Sequence, residues 1–136
     1  MPERHEVPDS VNRLSECVIG CAIEVHRALG PGLLEAVYEA ALCREFELNG
    51  VCFEQQVTFA GEYKGVTLPR QRFDLMVDNT IIVDLKAVRK VEDSHLAQIV
   101  SYIRIANRPR GLLINFNAPT IVKGTYRRIN SNALTH

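Results

Sequence analysis

The stretch Ile81-Ile82-Val83-Asp84-Leu85-Lys86-Ala87-Val88 reads as an interior β-strand that nevertheless carries an acid and a base two residues apart. Just upstream, Arg72-Phe73-Asp74-Leu75-Met76-Val77 repeats the theme with a second aspartate in an apolar run. Taking a charge out of water costs several kcal/mol unless it is paired or bound to a metal. Three such charges within 13 residues therefore mark a site rather than a surface. Side chains alternate along a strand, so Asp84 and Lys86 share a face. Whether Asp74 joins them depends on the turn. A three-residue loop at Asp78-Asn79-Thr80 pairs Val77 with Ile81 and sets Asp74 opposite Asp84, with Cβ atoms about 4.5–5.5 Å apart. A two-residue turn at Asp78-Asn79 sends the aspartates to opposite faces.

Working outward, residues 11–29 carry apolar side chains at helical spacing, with Asp9 or Ser10 as a possible N-cap. Gly30-Pro31-Gly32 interrupts them, and a second helix is expected over about 33–48, ended by Asn49-Gly50. β-type stretches follow near 51–59 and 63–68, then the two strands at 70–77 and 81–88. A third helix is expected over about 93–106, capped by Asp93 or Ser94, with Leu96, Ile99, Val100 and Ile103 as its buried stripe. A strand at 111–116 and a last β segment at 121–129 complete the order, and the tail from Asn130 is expected to fray. The pattern is α/β, a mixed sheet with the late helix as a crossover, in one domain without repeats or linkers.

Composition is that of an ordinary globular protein, with 46% apolar and 24% charged residues among 136. The opening residues lack the basic and apolar regions of a signal peptide, and no apolar run approaches the roughly 18 residues of a membrane span. A cytoplasmic protein with no membrane association is expected. Cysteines 17, 21, 43 and 52 show neither a CxxC pair nor zinc-type Cys-His spacing, so they read as reduced thiols. Net charge is zero but unevenly spread: residues 1–85 hold 7 basic and 14 acidic residues, residues 86–136 hold 9 and 2. The basic half, including Arg89, Lys90, Arg104, Arg108, Arg110, Lys123, Arg127 and Arg128, either faces a phosphate backbone or complements the acidic half within the fold.

Facing carboxylates destabilise a bare sheet, a divalent cation removes the repulsion, and an oxygen-only ligand set suits Mg2+ or Mn2+. Lys86 can then stabilise an attacking water or the charge developing on a phosphate. Further candidates are weaker alone. Glu35 opens the second helix, where an acid also simply favours the helix dipole, and Tyr38 shares its face. Gln98 and Tyr102, four apart, stack on one side of the third helix near His95. His26 reads as a capping or packing residue, and Asn115 and Asn117 as turn residues.

In chain order the marks are Gly32-x-x-Glu35-x-x-Tyr38, Asp74, Asp84-x-Lys86 and Gln98-x-x-x-Tyr102. This set resembles the PD-(D/E)XK nuclease superfamily, in its RecB-like branch with a Q-x-x-x-Y helix. Over about residues 10–130 it is similar to the small bacterial GxxExxY proteins, in Glu24 to Glu35, Val83 to Val88 and Gly111 to Phe116. The resemblance implies a restriction-endonuclease-like α-β-β-β-α-β core and a DNA-cleaving enzyme using a metal-activated water, with RNA also admissible. It implies Glu35, Asp74 and Asp84 as metal ligands for Mg2+ or Mn2+, and Lys86 as the catalytic lysine. Gln98 would orient the site or touch DNA, and Tyr102 would support it. Other RecB-like branches place a histidine upstream of the glutamate, as His26 stands here. Asp84 replaces the more frequent glutamate, Phe73 stands at the nominal proline, and no cysteines follow the lysine motif, so no iron–sulfur cluster is expected. The competing expectations are a catalytically silent nuclease-fold module binding nucleic acid or a protein, and a phosphodiesterase for small phosphoesters. So small a domain grips duplex DNA poorly alone, which makes a homodimer plausible.

Overall fold

The computed structural model describes residues 7–134; the first six residues, part of the opening stretch weighed above as a signal peptide, and the last two of the tail lie outside it. The order is α1 (Asp9–Leu29), α2 (Glu35–Leu48), β1 (Phe53–Phe59), β2 (Glu62–Tyr63), β3 (Val66–Thr67), β4 (Gln71–Val77), β5 (Ile81–Lys86), α3 (Asp93–Ile105), β6 (Arg110–Asn115), α4 (Ile121–Gly124) and β7 (Thr125–Ile129). A five-stranded sheet runs β1-β4-β5-β6-β7, with β5 and β6 parallel and the other neighbours antiparallel; β2 and β3 form a separate hairpin. This is the expected mixed α/β core, with α3 as the crossover that parallel strands require.

Helices cover both faces. Leu75, Val77, Ile81, Val83, Leu85, Leu112 and Ile114 pack with α1 and α2. Met76 and Ile82 pack instead with Ile99, Tyr102 and Ile103 of α3. Burial on both sides explains why β5 is a continuous apolar run and why its charges stand out. The crossing of α3 over β6 is close: a Cβ on Gly111 would sit 2.8 Å from Ile99 Cγ1 and 3.0 Å from Ile103 Cγ2.

Several local expectations change. The N-cap of α1 is Pro8, whose carbonyl accepts from Val11 and Asn12 N–H, rather than Asp9 or Ser10. The N-cap of α3 is Glu92, whose backbone N–H donates to His95 Nδ1 at 2.9 Å, so His95 is a capping residue. Residues 121–124 make a helical turn instead of strand, because the Thr120 side chain accepts from Lys123 N–H at 3.2 Å. The tail does not fray at Asn130. That residue is buried, its side chain donates to the Ile103 carbonyl at 3.0 Å, and a 3-10 turn follows over Ser131–Leu134.

Candidate active site

The turn between β4 and β5 decides the site. Asp78 and Asn79 both take left-handed φ near 51°, and Thr80 N–H closes back onto the Val77 carbonyl at 2.9 Å. Those are features of a tight two-residue turn, yet Thr80 stays outside the ladder and Val77 pairs with Ile81. The register continues as Met76 with Ile82 and Leu75 with Val83, which brings Asp74 level with Asp84.

Regular pairing stops there. The β1–β4 ladder skips Gln56 opposite Asp74, and Gln56 has φ 51°. Alternation slips at the same place in both strands. Phe53 and Leu75 face the α1/α2 core, whereas Val57 and Phe73 face α3. Strict two-residue alternation would put Phe53 and Val57 on one side. Irregularities of this kind re-aim side chains beside functional sites. Here the Asp74 side chain takes over from the ladder, its Oδ2 accepting from Leu85 N–H at 2.9 Å. Glu39, one helical turn beyond Glu35 on α2, accepts from the side chains of Gln55 and Gln56 at 2.9–3.0 Å. This clamp ties the Glu35 helix to the slipped segment. Nothing in the sequence pattern pointed to it.

Asp84 is 6% exposed. Lys86 Nζ lies 3.2 Å from its Oδ2 as an ion pair, and that buried oxygen accepts no hydrogen bond of good geometry. Burial, first, and then the adjoining Asp74 carboxyl push Asp84 up to about 7, against the opposing pull of Lys86. Burial works to lower Lys86, but Asp84 beside it, with Glu35 and Asp74 adding, leaves it above its ordinary value. The two directions are consistent: one ammonium cannot neutralise a buried carboxylate that already faces another.

Tyr102 closes the α3 side. It is buried, its ring is 4.8 Å from that of Phe73, and its hydroxyl is raised by burial and then by Asp84. Gln98, one turn earlier, is exposed. Glu35 is also exposed, at the first position of α2, near enough to act on Lys86 electrostatically. Among the described residues no three His, Cys, Asp or Glu side chains are gathered closely enough to hold an ion. The structure therefore brings together Asp74, Asp84, Lys86 and Tyr102, and leaves Glu35 and Gln98 at the margin.

A family model for the PD-(D/E)XK nuclease superfamily matches residues 12–129. The chain belongs to that superfamily. Comparison with curated proteins and with solved structures found no significant match. PD-(D/E)XK nucleases generally use divalent metals, and the chemistry of Asp74 and Asp84 suits such an ion, although among the described residues no third acid is gathered with them. The donors are hard oxygens, the Asp84 Oδ2 atom is buried without a hydrogen bond, and two carboxylates outweigh one ammonium.

Other residues singled out in the sequence make contacts that position the chain around the site. Tyr38 is fully buried, stacked on Phe116 at 4.5 Å. Its hydroxyl donates to the Gly30 carbonyl at 2.5 Å and accepts from Leu33 N–H at 3.1 Å, pinning the turn that starts the Glu35 helix. Gly30 and Gly32 supply the positive φ values, 70° and 103°, that this turn needs. His26 Nε2 bonds the Ala118 carbonyl at 3.0 Å, tying α1 to the loop after β6. Asn115 does more than its reading as a turn residue suggested: its side-chain amide bonds both the N–H and the carbonyl of Val88 at 3.0 Å, fixing the chain just beyond Lys86.

Proposed function

We propose that this PD-(D/E)XK protein is a Mg2+- or Mn2+-dependent nuclease that hydrolyses DNA phosphodiester bonds. The observation that carries the reading is the shared face on which Asp74, Asp84 and Lys86 meet, with one buried carboxylate oxygen left without a hydrogen bond. Asp74 and Asp84 would hold the ion, with Glu35 reaching it from the start of α2. When bound, such an ion supplies Lewis acidity and charge neutralisation toward a phosphodiester. Lys86, an ammonium on a half-buried stem, stabilises the extra negative charge that develops on the phosphate in the transition state. Tyr102 and Phe73 exclude water from the α3 side and keep those interactions strong. Gln98, on the open surface of α3, is placed to orient the site or touch DNA. Gly32-Leu33-Leu34-Glu35-Ala36-Val37-Tyr38 further suggests membership of the GxxExxY group, and the expected setting is the cytoplasm.

Incubation of the purified protein with plasmid and linear DNA tests the proposal. Cleavage is expected with Mg2+ or Mn2+ and not with EDTA, and Asp84→Ala and Lys86→Ala should each lower it by at least a hundredfold. Absence of cleavage across DNA and RNA substrates would discard it. One observation favours a second reading, a silent nuclease-fold module: Glu35 is not gathered with the two aspartates. In that case calorimetry would show no Mn2+ binding, and nucleic-acid binding would be indifferent to loss of the acids.

A further inference from the structure

Six of the basic residues of the C-terminal half fall into two contrasting groups. Arg110 is buried with its guanidinium on Asn12, Arg108 bonds Asn79, and Arg127 pairs with Glu16. Arg89, Lys90 and Lys123, by contrast, are exposed and have no carboxylate within ion-pair distance among the described residues. These three meet in one place. With Asn117 and Tyr126 they line a cleft of about 320 Å³ beyond the C-terminal ends of the parallel strands β5 and β6. Ligands of open α/β sheets settle at such strand ends.

Sheet register connects the cleft to the acids. Asp84 pairs with Leu113, and Leu113 with Tyr126. Paired residues on neighbouring strands point to the same side, so Tyr126 lies on the Asp84 face, two strand spacings or roughly 10 Å away. The frame is pre-set rather than loose. Asn115 grips Val88, immediately before Arg89. A Cβ on Gly124 would fall 2.6 Å from Ala118 Cβ and collide with the Asn115 carbonyl, so the cleft floor is backbone packed on backbone. Tyr126 is half-buried, and its hydroxyl has no hydrogen bond among the described residues.

Clustered cations beside one accessible aromatic face suit a nucleic-acid single strand, in which the cations track phosphates and the ring stacks a base. A duplex keeps its base faces stacked inside and offers Tyr126 nothing comparable. We propose that Arg89, Lys90, Lys123 and Tyr126 form a subsite for single-stranded nucleic acid, starting about three stacked nucleotides, at roughly 3.4 Å each, from Asp84. The subsite rests on the nuclease reading for its relation to Asp84, but its binding requires neither metal nor cleavage.

Fluorescence anisotropy of a labelled DNA 20-mer, single-stranded or annealed, against the full chain carrying Asp84→Asn in EDTA separates binding from cutting. Single strand is expected to bind more tightly than duplex. The triple substitution R89A/K90A/K123A should weaken it at least tenfold and reduce the slope of log K against log salt by about two, for three phosphate contacts. Tyr126→Ala should weaken it roughly tenfold with the slope unchanged, while Tyr126→Phe binds like the parent. A melting curve confirms folding of each variant, and the single Lys123→Ala change, with a slope reduction below one, replaces the triple variant if that melts early. No single-strand binding by the parent, or unaltered affinity in the charge variants, overturns the subsite. Loss of cleavage alone is a different result: if wild-type protein with Mn2+ cuts nothing but binding follows the expected pattern, the nuclease reading falls and the subsite stands.

Discussion

Asp84 is the residue on which the proposed chemistry turns, because the fold holds it in conflict. It is buried beside another carboxylate, and its carboxyl is raised from 3.8 to about 7. A carboxyl raised on folding stabilises the native state while protonated, and that contribution is lost as pH climbs from about 4 through 7. Lys86 opposes no part of this window, since its raised value affects stability only above its ordinary 10.5. In metal-free protein, Asp84→Asn removes the penalty. The variant is expected to be more stable than wild type at pH 8 by on the order of 3 kcal/mol, with the difference shrinking toward pH 5. Urea unfolding at the two pH values measures it. A constant difference would mean that Asp84 ionises without strain.

At the scale of elements, the site depends on two packed junctions. The turn between α1 and α2 is held by the Tyr38 hydroxyl, which serves Gly30 and Leu33 at once. Tyr38→Phe leaves a carbonyl and an N–H without that partner and should cost about 1–3 kcal/mol in urea unfolding. Because Glu35 begins at that turn, Mn2+ affinity should fall as well; unchanged affinity would show that Glu35 is not a ligand. The second junction is α3 over β6. Gly111→Ala drives a methyl into Ile99 and Ile103, and an overpacked contact of this type costs about 1–3 kcal/mol. The same shift lifts Tyr102 off the acids. Differential calorimetry should show a lowered midpoint; an unaffected one would mean that α3 rides more loosely than its burial suggests.

For the whole molecule, the proposed metal binding would be linked to folding. The acids proposed to hold the ion come from separate elements, and Asp74 of β4 meets Asp84 of β5 only in the native state, with Glu35 of α2 at the margin. An ion at a hundred times its dissociation constant should therefore stabilise the protein by about 2.7 kcal/mol. For a domain of this size that amounts to a rise of on the order of 10 °C in Tm. Differential scanning fluorimetry with Mn2+ at pH 8 checks it, with Asp84→Asn expected to show almost none of the rise. An equal shift in that variant would place the ion elsewhere. The basic excess of the C-terminal half serves two different environments at this scale: Arg108, Arg110 and Arg127 make contacts within the fold, while Arg89, Lys90 and Lys123 stay exposed at the open end of the sheet.

Much of this protein is legible one residue at a time. The apolar runs around Asp74, Asp84 and Lys86, the helical spacing of 11–29 and 93–106, and the Gly-Pro-Gly break all express local periodicity and turn chemistry, which the chain carries whatever its partners. Those features were enough for the order of the core helices and strands up to β6 and for placing Asp84 beside Lys86. They could not choose between the two hairpin registers. Asp78 and Asn79 adopt the torsions of the shorter turn, while the pairing obeys the longer one, because burying Val77, Ile81 and Val83 against α1 and α2 outweighs the local preference. The slip at Gln56 and Asp74, the Glu39 clamp and the Asn115 grip on Val88 are likewise contacts between distant parts of the chain. Periodicity reports which side of an element is apolar; only the packed tertiary structure decides what that side meets, and hence which charges are left facing one another.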